Sequence, residues 1–225
     1  MREEVNTGSG GRALSAQRVA RTEAELMDAA QELFLEQGYV ATTLAQVAQR
    51  AGLAARTVYV RFGTKAALFT RVVDRALVGD TEPVDVAHRP GMTQAMTADS
   101  LQARIKAFAD ASIGVAERAG ALFEVAAQAE AVEPEVAQAA TAGRRATMEL
   151  CTEFWRQAAA DGLISGELDR DDLAVVTDLL VSADTTVHLR RTRGWSASSH
   201  RRLVVDALTT LASVTHQVEP ARRDS

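Results

Sequence analysis

One cysteine, Cys151, stands in 225 residues. No intrachain disulfide can therefore form, and no cysteine-based zinc finger can be assembled. The histidines are also few. His88, His188, His200 and His216 are scattered, without the i, i+4 pairing of a helical metal site, so no metal or other cofactor is expected. No phosphate-binding loop, dinucleotide fingerprint or nucleophile elbow occurs, which speaks against an enzyme. No run approaches the roughly 20 apolar residues of a membrane helix, and Met1-Arg2-Glu3-Glu4 lacks the apolar block of a signal peptide. A cytoplasmic protein with no membrane partner is expected.

What the chain does have is an ordinary share of core formers, 47% apolar residues against 24% charged. Its net charge of −5 speaks weakly against nucleic acid, but charge acts locally. Residues 1–80 carry 10 Lys+Arg against 9 Asp+Glu, and residues 81–225 carry 15 against 21. Within 41–76 stand Arg50, Arg56, Arg61, Lys65, Arg71 and Arg75 against Asp74 alone. Such a block suits phosphates, or is simply a solvated basic face.

The periodicity is helical throughout. Residues 1–17, with Gly8-Ser9-Gly10-Gly11, read as a flexible arm. Leu26, Ala29, Ala30, Leu33 and Phe34 recur at three and four, predicting a helix from Thr22 to Gln37 that Gly38 ends. Thr43 can cap a short helix over Leu44 to Ala51, Gly52 suits a turn, and another short helix follows from about Ala55 to Phe62. Gly63-Thr64 then ends it and caps a longer helix from Lys65 to about Val78. These elements form one domain over 18–78. From Gly79 to Thr97 the pattern breaks around Pro83, Pro90 and Gly91, predicting a linker or loop.

A second domain over 79–225 is again all-α. A helix opens at Asp99, a second is delimited by Gly120 and Pro134, and a third runs from Pro134 through Trp155 to Asp161-Gly162. Two last helices are predicted at about Asp171 to Arg191 and Ser198 to Gln217. Leu173, Val176, Leu180, Ala183 and Val187 form a heptad-like seam on one, and Val204, Ala207, Leu211, Val214 and Val218 on the other. Val175, Leu179, Leu203 and Leu208 widen both stripes, so a four-helix interface between two copies is expected; an internal core is the alternative. Asp171-Asp172 reads as negative charge in a helix's first turn.

Helix, glycine turn and helix within a basic segment is the geometry that puts a second helix into the DNA major groove. The stretches Thr43-Leu44-Ala45-Gln46-Val47-Ala48-Gln49-Arg50-Ala51-Gly52-Leu53 and Thr57-Val58-Tyr59-Val60-Arg61-Phe62-Gly63-Thr64-Lys65-Ala66-Ala67-Leu68 closely resemble the DNA-binding domain of the tetracycline-repressor (TetR) family. Ala29 to Phe34 and Gly38-Tyr39 resemble that family's first helix. The resemblance spans Arg21 to Arg75; beyond it the likeness is architectural. It implies a two-domain, all-α homodimeric transcription regulator. Family members usually repress, and release a double-stranded DNA operator when a small-molecule effector enters the C-terminal domain.

Physical chemistry gives each residue a role. Thr43 offers a hydroxyl and a helix N-terminus to a phosphate, or is a plain N-cap. Arg56 and Thr57 sit in the first turn of the recognition helix, where Arg can pair bidentately with guanine. Tyr59 matches a family tyrosine able to touch a thymine methyl or a phosphate, or to pack. Lys65 matches a family phosphate contact, which would set register without reading sequence. Arg61 departs from a frequent aromatic, and Ala54 and Ala55 depart from a small polar cap and a frequent lysine, leaving Ala55 an apolar contact only.

For an effector, Phe108, Ser112, Phe123, Met148, Cys151 and Trp155 lie on helices that the family places around its pocket, with core packing as the alternative. Lining by these residues implies an apolar or aromatic ligand, with Gln128, Arg144, Arg145 and His188 as polar candidates. The competing function is a ligand-binding or scaffolding dimer without DNA activity.

Overall fold

Leu26, Ala30, Leu33 and Phe34 share one helical face, and around it the N-terminal core condenses. The computed structural model describes residues 8–79, 88–164 and 169–214, with the side chains of 8–14 and 214 excepted. The first helix, α1, spans Gly8–Ala41 and is interrupted at Gly38, where φ is 78° and ψ 176°. This turn brings Tyr39 back against Phe34, ring centroids 5.9 Å apart, and Phe69 meets both edge-on at 4.9 and 5.3 Å. Thr43 caps α2 (Leu44–Arg50) in a capping box. Its hydroxyl accepts from Gln46 N at 3.2 Å, and its own N–H donates to Gln46 Oε1 at 2.8 Å. Gly52, at φ 68°, turns the chain towards α3 (Ala55–Phe62). Thr64 then caps α4 (Lys65–Val78), accepting from Ala67 N at 3.0 Å. Val47, Ala48 and Val58 bury against α1 and α4, which fixes α2 and α3 as a helix-turn-helix.

The remaining described elements are α5 (Pro90–Thr97), α6 (Leu101–Ala129), α7 (Pro134–Ala160), α8 (Arg170–Val181), α9 (Ala183–Arg193) and α10 (Ala197–Val214). Helix α6 belongs to both cores. Its Leu122, Val125 and Ala129 join the N-terminal cluster, while Ile105, Phe108 and Ile113 join a second one with Phe154 and Trp155 of α7, Leu173 of α8 and Leu208 of α10. The Trp155 indole N–H donates to Thr177 Oγ1 at 2.8 Å, and Thr177 donates on to Leu173 O at 2.7 Å. Both buried polar groups are thereby satisfied.

Several expected boundaries are corrected. The arm is already helical from Gly8, because Arg12, Ala13, Leu14, Ala16 and Gln17 favour helix and extending one costs less than nucleating it; residues 1–7 lie outside the described residues. Part of the expected linker is α5, which starts with Pro90 in its first turn and buries Met92 and Ala95; residues 80–87, including Pro83, are outside the described residues. Gly120 does not end a helix. It lies buried inside α6, where an added Cβ would meet Arg190 Nη1 at 3.1 Å, so its smallness admits a side chain of α9.

The expected helix from Asp171 to Arg191 is broken at Ser182, which leaves helical geometry at ψ 152° and caps α9 by accepting from Thr185 N at 3.1 Å. Asp184 in the new first turn favours that start. The continuous seam is therefore divided. Leu173 and Val204 are core residues, and Val176, Leu180, Ala183, Val187 and Ala207 are half-buried. Leu211 is 38% exposed. The Val214 side chain, Gln217 and Val218 lie outside the described residues.

Candidate nucleic-acid interface

Val58 is buried and Phe62 half-buried, which anchors one side of α3 to the domain. The opposite side is open. At about 100° per residue, Arg56 stands in its middle with Tyr59 and Val60 on either flank. Tyr59 is 55% exposed and Val60 71%. Such an apolar residue at the surface of a short helix has nothing to pack on within its own chain; Val60 was missed in the sequence because a valine beside Tyr59 reads equally well as core. Ala55 is exposed, and Thr57 is half-buried. Ala54 makes no side-chain cap. Thr43 is exposed at the head of α2, its hydroxyl already shared with Gln46.

The basic block is less available than its sequence suggests. Arg50 pairs with Glu32 at 3.1 Å and Glu36 at 2.8 Å, and it holds the Glu36 carboxyl below its usual range. Arg75 lies 2.8 Å from Asp28, and Arg61 lies 3.8 Å from Glu23. The acids of α1 thus neutralise these cations, whereas Arg56 has no ion-pair partner among the described residues. Arg61 is accordingly tied to α1 rather than freely presented.

Lys65 is also engaged. Its Nζ donates to Tyr39 O at 2.8 Å and approaches Val40 O at 3.5 Å, lying 4.2 Å from the centre of the Tyr39 ring. These carbonyls stand at the C-terminal end of α1, where the helix supplies no donors. Burial lowers the pKa of the ammonium. The expected free phosphate contact is thus first a clamp between the start of α4 and the end of α1. Tyr39 also donates its O–H to Glu133 Oε2 at 3.0 Å, and Thr64 donates to Glu135 Oε2 at 3.0 Å. Both acids sit where α7 begins, so the helix-turn-helix domain is fastened to the body there. Nothing in the local sequence signals these pairs, because each joins residues far apart in the chain.

The effector residues expected from the sequence are divided between the second core and half-buried positions. Phe108, Cys151 and Trp155 are packed in the second core, and burial pushes the Cys151 thiol up to about 12. Ser112, Phe123 and Met148 are half-buried. Of the polar candidates, Arg144 is held on the surface by Glu130 at 3.0 Å and Asp184 at 3.1 Å. A cavity of about 400 Å³ instead opens on another side of α6, against α9 and the α9–α10 turn. A second, of about 350 Å³, lies at the end of α4 beside Arg118. Neither is lined by any of the six.

The described residues thus form a helix-turn-helix with an exposed second helix, built onto a long helical body. Residues 26–72 match the model of the tetR family of bacterial regulatory proteins, which makes the N-terminal segment similar to that family's. Among solved structures, a protein of Mesorhizobium loti assigned to the tetR family of transcriptional regulators is similar at 20% identity and TM-score 0.69, over 88% of this chain and 98% of that one. The SmeT–triclosan complex matches at 18% identity and TM-score 0.68, over 91% and 98%. NalD of Pseudomonas aeruginosa, a secondary repressor of the MexAB-OprM multidrug efflux pump, matches at 18% and 0.60, over 85% and 96%. At these identities the likeness establishes the fold. No curated protein matches the chain. No helix among the described residues is long and apolar enough to cross a membrane.

Proposed function

We propose that the protein is a dimeric, sequence-specific DNA-binding regulator and not an enzyme, a repressor that leaves a near-palindromic operator when a small apolar or aromatic ligand binds its C-terminal domain. It acts in the cytoplasm, on double-stranded DNA. The observation that carries this reading is the outward side of α3, where Arg56, Tyr59 and Val60 stand exposed on a helix locked into the domain by Val58. Arg56 reads a base, Tyr59 and Val60 offer apolar contact to thymine methyls, and Thr43 with Lys65 sets the register on phosphates.

A second copy covers the apolar residues that the fold leaves outside. Val175 and Leu179 on α8 are 45% and 59% exposed, and Leu211 on α10 is 38% exposed. Closing these helices against their symmetry mates gives a four-helix interface. Two copies of α3 then face successive major grooves, about 34 Å apart, which requires an inverted repeat. A protein of this fold is found with a small molecule in the SmeT–triclosan complex. Ligand releases DNA only by binding the non-DNA conformation more tightly, and DNA weakens ligand binding by the same factor.

The test is to incubate the purified protein with fragmented DNA of its source organism at near-physiological salt, recover what stays bound and sequence it. A few fragments sharing an inverted repeat are expected. Recovery without a shared sequence overturns sequence-specific reading, and recovery of nothing above background favours the scaffolding dimer instead.

A further inference from the structure

The cavity of about 400 Å³ beside α6 borders the second core through Ile113, and none of the expected effector residues lines it. Its apolar wall includes Ile113 of α6, Leu189 of α9 and Trp195 of the α9–α10 turn. Trp195 is 37% exposed, unlike the buried Trp155. The size falls in the range of small-molecule sites.

Three ionisable groups among the described residues line this space, Glu117, Arg190 and His200, and a fourth, Glu124, stands behind Arg190. Arg190 is offset by Glu124 of α6, 3.9 Å away. His200 donates Nε2–H to Leu180 O at 2.7 Å, and burial lowers its pKa, so it is neutral near pH 7. Glu117 has no ion-pair or hydrogen-bond partner among the described residues. With Glu124 set against Arg190, the Glu117 carboxylate is left over, on the wall that also carries an accessible indole. A carboxylate and an aromatic ring together favour a positive charge on an apolar body, by charge pairing and by the ring quadrupole.

We infer that this cavity binds a small organic cation, a protonated amine or quaternary ammonium with an apolar body, through Glu117 and Trp195. The inference rests on the regulator reading only for its effect on DNA. Ile113 and Glu117 share α6 with Leu122, Val125 and Ala129, which pack in the core of the helix-turn-helix domain. Occupancy of the cavity therefore acts on the helix against which α1 and α4 rest.

The site is tested on the full chain without DNA, so that its failure is separate from failure of the regulator reading. Benzyltrimethylammonium is titrated while intrinsic fluorescence and thermal stability are followed; benzoate serves as the anionic counterpart. The cation is expected to alter Trp195 fluorescence saturably and to raise the melting temperature, with Glu117→Gln weakening it about fivefold and Trp195→Phe removing the optical signal. Benzoate is expected to do neither. Tighter binding of benzoate overturns the cationic class, and an undiminished affinity in E117Q overturns the role of Glu117. Absence of stabilisation by either probe at about 10 mM overturns the site itself.

Discussion

The hydroxyl of Tyr39 donates to Glu133 across 3.0 Å, although 94 positions separate them. The same tyrosine receives the Lys65 ammonium on its carbonyl and its ring. One aromatic residue thus joins the end of α1, the start of α4 and the head of α7. Tyr39→Phe keeps the ring against Phe34 and Phe69 and deletes only the O–H. The expected loss is about 1 kcal/mol of unfolding free energy in urea. Combining it with Glu133→Gln should cost little more than either change alone, as befits one shared bond. Full additivity in that cycle would show that the hydrogen bond contributes nothing.

Gly38 and Gly120 should respond oppositely to alanine. At Gly38 the obstacle is the backbone, φ 78° with ψ 176°, since the nearest atom to an added Cβ is Gln128 Oε1 at 3.8 Å. Gly38→Ala is expected to lower stability by about 1–3 kcal/mol. Gly120 is helical, and its added Cβ would meet only the tip of Arg190 at 3.1 Å. A flexible guanidinium can move aside, and alanine favours helix, so Gly120→Ala should be neutral or slightly stabilising. A larger loss at Gly120 than at Gly38, read by thermal unfolding, would contradict both assignments.

His200 gives the body a pH dependence of definite sign. It is 3% exposed, and burial lowers its pKa below the ordinary 6.5. The unfolded chain therefore takes up the proton first. The stability this residue contributes is complete above 6.5 and lost as pH falls below it. The melting temperature should drop between about pH 7 and about pH 5, and His200→Gln should flatten part of that slope. An unchanged slope in the variant would assign the dependence to other groups.

What the sequence disclosed and what it withheld divide by range. The helix-turn-helix was legible because its signals are local: Thr43 and Thr64 cap where caps were expected, and Gly52 takes the positive φ its turn needs. The Ser182 break was hidden by periodicity, since Val176, Leu180, Ala183 and Val187 continue the count across it. Gly120 misled for the converse reason, a glycine kept for the approach of Arg190 reading like a helix end. Arg50 and Arg75 appeared as free cations because their partners Glu36 and Asp28 lie on another helix. Phe108 and Trp155 are buried in the second core, one of the two readings that their helical spacing allowed.

On the recognition surface Arg56 and Lys65, both cations in the sequence, differ in what their own chain asks of them. Arg56 is exposed and has no ion pair among the described residues, so Arg56→Ala should leave thermal stability within about 0.5 kcal/mol. On the recovered operator it should relax the preference at one base pair by about 1–3 kcal/mol. Lys65→Ala should differ on both counts. It removes the donor to Tyr39 O, so the domain is destabilised, and it weakens specific and nonspecific DNA alike with a flatter salt dependence. Gel-shift titrations over a salt series, with melting curves for the same variants, separate the two roles. If Lys65→Ala weakens DNA binding without lowering the melting temperature, the ammonium serves phosphate rather than the end of α1. If Arg56→Ala reduces affinity for every sequence equally, the side chain holds the backbone and base reading falls to Tyr59 and Val60.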